Sequence, residues 1–164
     1  IEMGGADSQS LIGQGHVSGS SALATDNATV AQATWRGIVG LWGNVWQMVQ
    51  GLQTDGSSRF QIWDKSGNQG WVTTAQTSPA AGYHVTFSVD SGASHDLTDL
   101  FVPATTNTTA SNGTTGDYFY TNPNCVAYHG GHWSNGANAG LFYLGVGNAA
   151  SYAYPYVGGR LAKV

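Results

Sequence analysis

The chain is 164 residues long, the length of one domain, and only 9% of it is charged, with 24 glycines, six tryptophans and eight tyrosines. So heavy an aromatic load excludes a disordered chain. Five lysines and arginines against nine acidic residues leave a net charge of −4, too little basic surface to neutralise a phosphate backbone, so no nucleic-acid partner is expected.

The opening Ile1-Glu2-Met3-Gly4-Gly5 has neither a basic n-region nor an apolar h-region, and Ile1 is not a translation start, so a longer parent protein is expected. Residues 1–33, rich in Gly, Ser, Ala, Thr and Asn, read as an extended lead-in to a domain over 34–164. Trp35, Ile38, Val39, Trp42, Val45, Trp46 and Val49 then fall on one face of a helix. Thr34 stands at its N-cap and Gly51 at its C-terminal stop. Gly37, Gly40 and Gly43 weaken that helix, which predicts close packing against a neighbour. Nowhere does an apolar run approach the roughly 18 residues a spanning helix needs, so no membrane insertion is expected.

Beyond the helix the period changes to two. Arg59–Trp63 and Trp71–Thr74, separated by the turn-rich Asp64–Gly70, predict a hairpin. Tyr83, Val85, Phe87 and Val89 alternate with His84, Thr86 and Ser88 as a half-buried strand. Asp99–Pro103 is a shorter strand closed by proline, and 104–116 a polar surface loop. Asp117–Thr121, Cys125–His129, Gly140–Val146 and Val157–Leu161 supply further short apolar runs. Short strands, one main helix near 35–50 and long connections define an α+β, loop-rich domain.

Catalytic signatures are weak. No G-x-S-x-G occurs, and Ser94-His95-Asp96 are chain neighbours, which seldom point at one another as a triad must. Asp96, Asp99 and Asp117 are the carboxylates a glycan hydrolase would use, but spacing alone sets no carboxyl separation. His129 and His132 have metal-ligand spacing across Gly130-Gly131 without a third ligand nearby, short of what zinc requires. The single cysteine, Cys125, excludes an internal disulfide framework and reads as a small buried hydrophobe. No catalytic residue, metal or cofactor is expected.

Asn148–Tyr156 is the most informative segment. Tyr152, Tyr154 and Tyr156 alternate with small residues or proline. Alternation suits a strand with one aromatic face, and Pro155 counts against a central strand. Tyrosine among Gly, Ser and Asn also has the chemistry of adaptable binding surfaces. The same residues equally suit rings packed on the domain's own core.

Two segments resemble a group of bacteriophage and prophage structural proteins. Trp35-Arg36-Gly37-Ile38 with Leu41–Gln47 resembles their helix motif. Gly130-Gly131-His132-Trp133-Ser134-Asn135-Gly136 through Leu144, closing at Val157–Leu161, resembles their C-terminal signature. The resemblance spans about residues 35–161. It implies a C-type-lectin-like fold of the formylglycine-generating-enzyme branch, which includes tail receptor-binding proteins and retroelement-diversified variable proteins. In diversified members the exchanged positions lie between the Gly-Gly-x-Trp element and the closing Gly-Arg, where this chain has Gly145, Gly147, Tyr152, Tyr154 and Tyr156. The enzyme's cysteine pair is absent, Ser134 and Gly136 standing there, so catalysis is not carried over. Asn122-Pro123-Asn124 lacks the carboxylate of calcium-dependent sugar sites.

The expectation is thus a non-enzymatic receptor-binding domain of a phage tail tip or fibre, acting from the virion on a bacterial surface glycan or outer-membrane protein. Tyr152, Tyr154 and Tyr156 would be the anchors, with Gly145, Gly147, Asn148, Tyr143, His132 and Asn135 around them. Trp35, Trp42, Trp46 and Trp133 would be core. The resemblance also implies other tail subunits as partners and a homotrimer, which would multiply a weak site. A virion structural or decoration domain is the alternative, a glycan-degrading tail enzyme the lesser one.

Overall fold

The computed structural model describes residues 34–35, 38–39, 42–43, 45–64, 69–88, 97, 100–132 and 134–158. About half of these are in strands, and their only helical turns are short 3-10 segments at Ala110–Asn112 and Gly136–Asn138 or single residues. The expected α+β, C-type-lectin-like class with one main helix is therefore corrected to a β architecture. Within 35–50, Thr34–Trp35 (β1) and Ile38–Val39 (β2) pair antiparallel, and Trp46–Thr54 is a nine-residue strand, β3. The physical reason lies in the residues themselves. Trp, Ile and Val fit a pleated sheet as readily as a helix face, and the intervening glycines take conformations no helix interior allows, Gly43 at φ +75° and Gly51 at φ +97°.

The described residues fall into two compact units. One comprises those within Ile1–Met48, His129–Tyr143 and Ala153–Val164, the other those within Val49–Tyr128 and Leu144–Tyr152. The second holds β3 from Val49 onward, then β4 (Arg59–Asp64), β5 (Gly70–Thr77), β6 (Gly82–Phe87), β7 (Pro103–Asn107), β8 (Tyr118–Thr121), β9 (Val126–His129) as far as Tyr128, and β10 (Leu144–Asn148). They lie in the order β5-β4-β3-β9-β10-β8-β6-β7.

The predicted hairpin is present: β4 and β5 pair antiparallel, with Trp63 opposite Trp71. Asp55 shapes the preceding β3–β4 turn. Its carboxylate accepts from the backbone of Ser57 and Arg59 and pairs with the Arg59 side chain at 2.9 Å. The bond from the Arg59 backbone chiefly holds its pKa below the usual carboxylate value.

Alternation decides the core. Leu52, Phe60, Val102, Phe119, Cys125, Ala127, Leu144 and Val146 form one cluster, with Val49 and Ile62 packed against it. Cys125 is buried there as its apolar neighbours suggest, and burial pushes its thiol pKa up. Two expectations shift. Leu100 and Phe101 form a turn, and the strand runs forward from Pro103, so the polar stretch after it opens with β7 rather than loop. On β6 it is His84, at 0% exposure, that enters the core, while Tyr83, Val85 and Phe87 are half-buried.

In the first unit, β3 begins at Trp46, and Val157–Gly158 (β11) pairs parallel with it, Val157 opposite Trp46 and Gly158 opposite Gln47. Trp42 is 2% exposed, as expected of a core tryptophan. The lead-in 1–33, Trp133, the 94–96 and Asp99 polar groups and 159–161 lie outside the described residues, as does the side chain of Trp35.

Candidate functional site

The first unit gathers four of the nine sequence-predicted residues, and one unpredicted, into a single aromatic cluster. Its frame is the Gly130-Gly131 bend, with φ +89° and +76°. Gly43 N–H donates to the Gly130 carbonyl at 2.7 Å, and Gly130 N–H to that of Tyr143 at 3.1 Å. Just after the bend, Asn135 closes a turn in both directions. Its Oδ1 accepts from His132 N–H at 2.7 Å, and its own N–H donates to the His132 carbonyl at 3.0 Å. Asn135 therefore orients His132 from within the chain.

His132 is 7% exposed. Its Nδ1 accepts the Ser134 backbone N–H at 3.2 Å and lies 3.0 Å from Ser134 Oγ. Because a backbone N–H can only donate, Nδ1 carries the lone pair and the ring proton of the neutral form sits on Nε2. Burial lowers the His132 pKa to about 4, so the ring is neutral at physiological pH. His129, its partner in the H-x-x-H spacing, has Nε2 2.7 Å from the Leu141 carbonyl. Among the described residues no group of three side chains could hold a metal ion.

On the His132 ring stacks Tyr156, with centroids 4.3 Å apart and planes 13° from parallel, and on Tyr156 stacks Tyr154, at 5.0 Å and 29°. Trp46 meets His132 edge-on at 4.6 Å and Tyr156 edge-on at 5.4 Å, and lies 6.4 Å from Tyr143. Each such pair contributes about 0.5–1.5 kcal/mol beyond burial. The stack runs from a buried imidazole outward to Tyr154, whose side is open, at 55% exposure.

A turn, rather than a strand, brings the two tyrosines to one side. Val157 N–H donates to the Tyr154 carbonyl at 2.9 Å, placing Pro155 at the second position of a four-residue turn, where its fixed φ belongs. The Tyr156 carbonyl then accepts Trp46 N–H at 2.7 Å and ties the turn to β3. Sequence reasoning assigned Trp46 to a core helix and so missed it. The signal that could have found it is the period-two reading of 46–54, which puts it at the start of a strand.

The other predicted positions do different work. Tyr143 is buried at 4% exposure, a support of the cluster rather than a contact surface. Gly145, Gly147, Asn148 and Tyr152 belong to the second unit. Gly145 is buried opposite Tyr120 on the parallel β8–β10 pair. A Cβ on Gly147 would run into the Tyr120 ring, so that glycine makes room for an aromatic side chain of its own unit. Asn148 ends β10, half-buried. Tyr152 N–H donates to the Ala149 carbonyl at 2.9 Å.

No family model and no curated protein matches the chain.

Proposed function

We propose that the chain is a non-enzymatic receptor-binding domain, of the kind a bacteriophage carries at a tail tip or fibre, and that it engages a bacterial surface receptor through Tyr154. The observation that carries this reading is the stack from His132 through Tyr156 to an exposed Tyr154. An aromatic ring held in place from behind gives a large contact area with little rotamer entropy left to lose, which is the character of a binding hot spot. Tyr154 is the anchor in this reading, Tyr156 and His132 its support, and a symmetric trimer would repeat the site.

The test is binding of labelled protein to a panel of host and non-host bacteria. Selective binding by the wild type is expected, and Tyr154→Ala, checked to be folded, should weaken it by at least about tenfold. Tyr156→Ala should lose binding together with stability, since it removes the middle ring. A wild type that binds no cells, or a Tyr154→Ala protein that binds equally well, would replace this reading with that of a virion structural domain.

A further inference from the structure

A second surface, in the unit that lacks Tyr154, carries an independent inference. Strand alternation sends Leu52 and Thr54 of β3, Phe60 of β4 and Thr74 of β5 into the interior. Gly51 and Gln53, Gln61 and Trp63, and Trp71 and Thr73 consequently share the opposite face. Trp63 and Trp71 are direct partners across β4 and β5, edge-to-face at 5.4 Å, and remain 37% and 40% exposed. Beside them runs a chain of side-chain hydrogen bonds across all three strands. Gln53 Nε2 donates to Gln61 Oε1 at 2.7 Å, and Gln61 Nε2 donates to Thr73 Oγ1 at 2.9 Å.

This chain leaves the Gln53 amide oxygen at one end and the Thr73 hydroxyl proton at the other, with a second amide proton on each glutamine. The Leu52–Ile62 register places Gly51 opposite Trp63, so no side chain on β3 stands across from that indole. A Cβ at Gly51 would touch only Trp63 Cβ, at 3.8 Å. Among the described residues of this face, the charged side chain of Arg59 is paired with that of Asp55.

We infer that this face binds a neutral hexopyranose glycan. A pyranose ring has an apolar face of C–H groups that lies against an indole, and a rim of hydroxyls that both donate and accept. Exposed tryptophans next to an amide–hydroxyl chain match both features. The charge balance points the same way: among the described residues of this face the one cation, Arg59, is already paired with Asp55, which leaves an acidic polysaccharide no unpaired cation among them. A purely apolar partner would strip water from the amides without replacing it. The inference does not rest on the role of Tyr154.

Affinity electrophoresis through gels containing neutral polysaccharides (a glucan, a mannan, a galactan) or polygalacturonate tests it. At least one neutral polysaccharide should retard the wild type, and polygalacturonate should not. Trp71→Ala and Gln61→Leu should each weaken retardation by at least about tenfold, while Tyr154→Ala migrates as wild type. Gln61→Leu keeps the test decisive if Trp71→Ala does not fold. Absence of retardation by every neutral polysaccharide, equal retardation by polygalacturonate, or retardation unchanged in both variants would overturn the proposal. Retardation kept while Tyr154→Ala retains cell binding would sink the tyrosine reading alone.

Discussion

Gly131→Ala should destabilise the protein by about 2–5 kcal/mol, the sum of a left-handed backbone cost and an overpacked contact. Gly131 sits at φ +76°, and a Cβ there would lie 2.5 Å from Ala139 Cβ and 2.9 Å from Ala139 Cα. Backbone cannot swing aside as the end of a flexible side chain can. Gly116 supplies the control, since its φ is +75° but nothing lies within 4 Å of its would-be Cβ. Gly116→Ala should therefore lose only the conformational part, about 1–2 kcal/mol. Urea unfolding of the two variants measures the difference, and Gly131→Ala/Ala139→Gly should recover part of the loss. Equal costs at the two glycines would remove close approach as the reason for Gly131. Because His132 follows directly, the same substitution should also loosen the aromatic stack.

Acid should unfold this protein from two buried histidines. The pKa of His84 is lowered to about 4, chiefly by burial, with the Tyr118 backbone opposing. Its ring is fully buried beside Phe87 and Phe119, and neither nitrogen has a hydrogen-bond partner. The pKa of His132 is lowered to about 4 by burial as well.

For each, the unfolded chain takes up a proton near pH 6.5 and the folded one only near pH 4. Stability is thus complete above about pH 6.5 and falls as pH drops toward 4, by up to about 3 kcal/mol per histidine. For His132 the loss has a visible cause, since a protonated Nδ1 can no longer accept from Ser134. His84→Leu should raise stability at neutral pH, because it removes polar atoms that lack partners, and should roughly halve the acid sensitivity. Urea midpoints at pH 7 and 4.5 check both. An acid sensitivity unchanged in His84→Leu would place its origin elsewhere.

Much of the sheet could be read from the chain. Arg59–Trp63 and Trp71–Thr74 announce a hairpin through alternation and a turn-rich link, and β8 and β9 fall on the short apolar runs at 117–121 and 125–129. The β4–β5 pairing also contains the Trp63–Trp71 partnership, legible once the two strands are aligned tip to tip. The candidate site was legible in part. Tyr154, Tyr156 and His132 lie in one stack, whereas Gly147 makes room for the Tyr120 ring and Tyr143 is interior.

Local chemistry alone settles that 59–74 doubles back, and it sets Pro155 against a central strand at 152–156. Two matters needed the tertiary structure. The apolar residues of 35–49 satisfy a helical period and also suit strands. The choice went to the sheet because neighbouring strands complete the backbone hydrogen bonds of 46–54, and glycine offers no resistance to positive φ at 43 and 51. Alternation on β6 likewise separates His84 from Tyr83, Val85 and Phe87 without naming the inner side. Phe119 and Val102 lie within the core that takes up one face of the sheet, and that packing, not the polarity of histidine, put His84 inside.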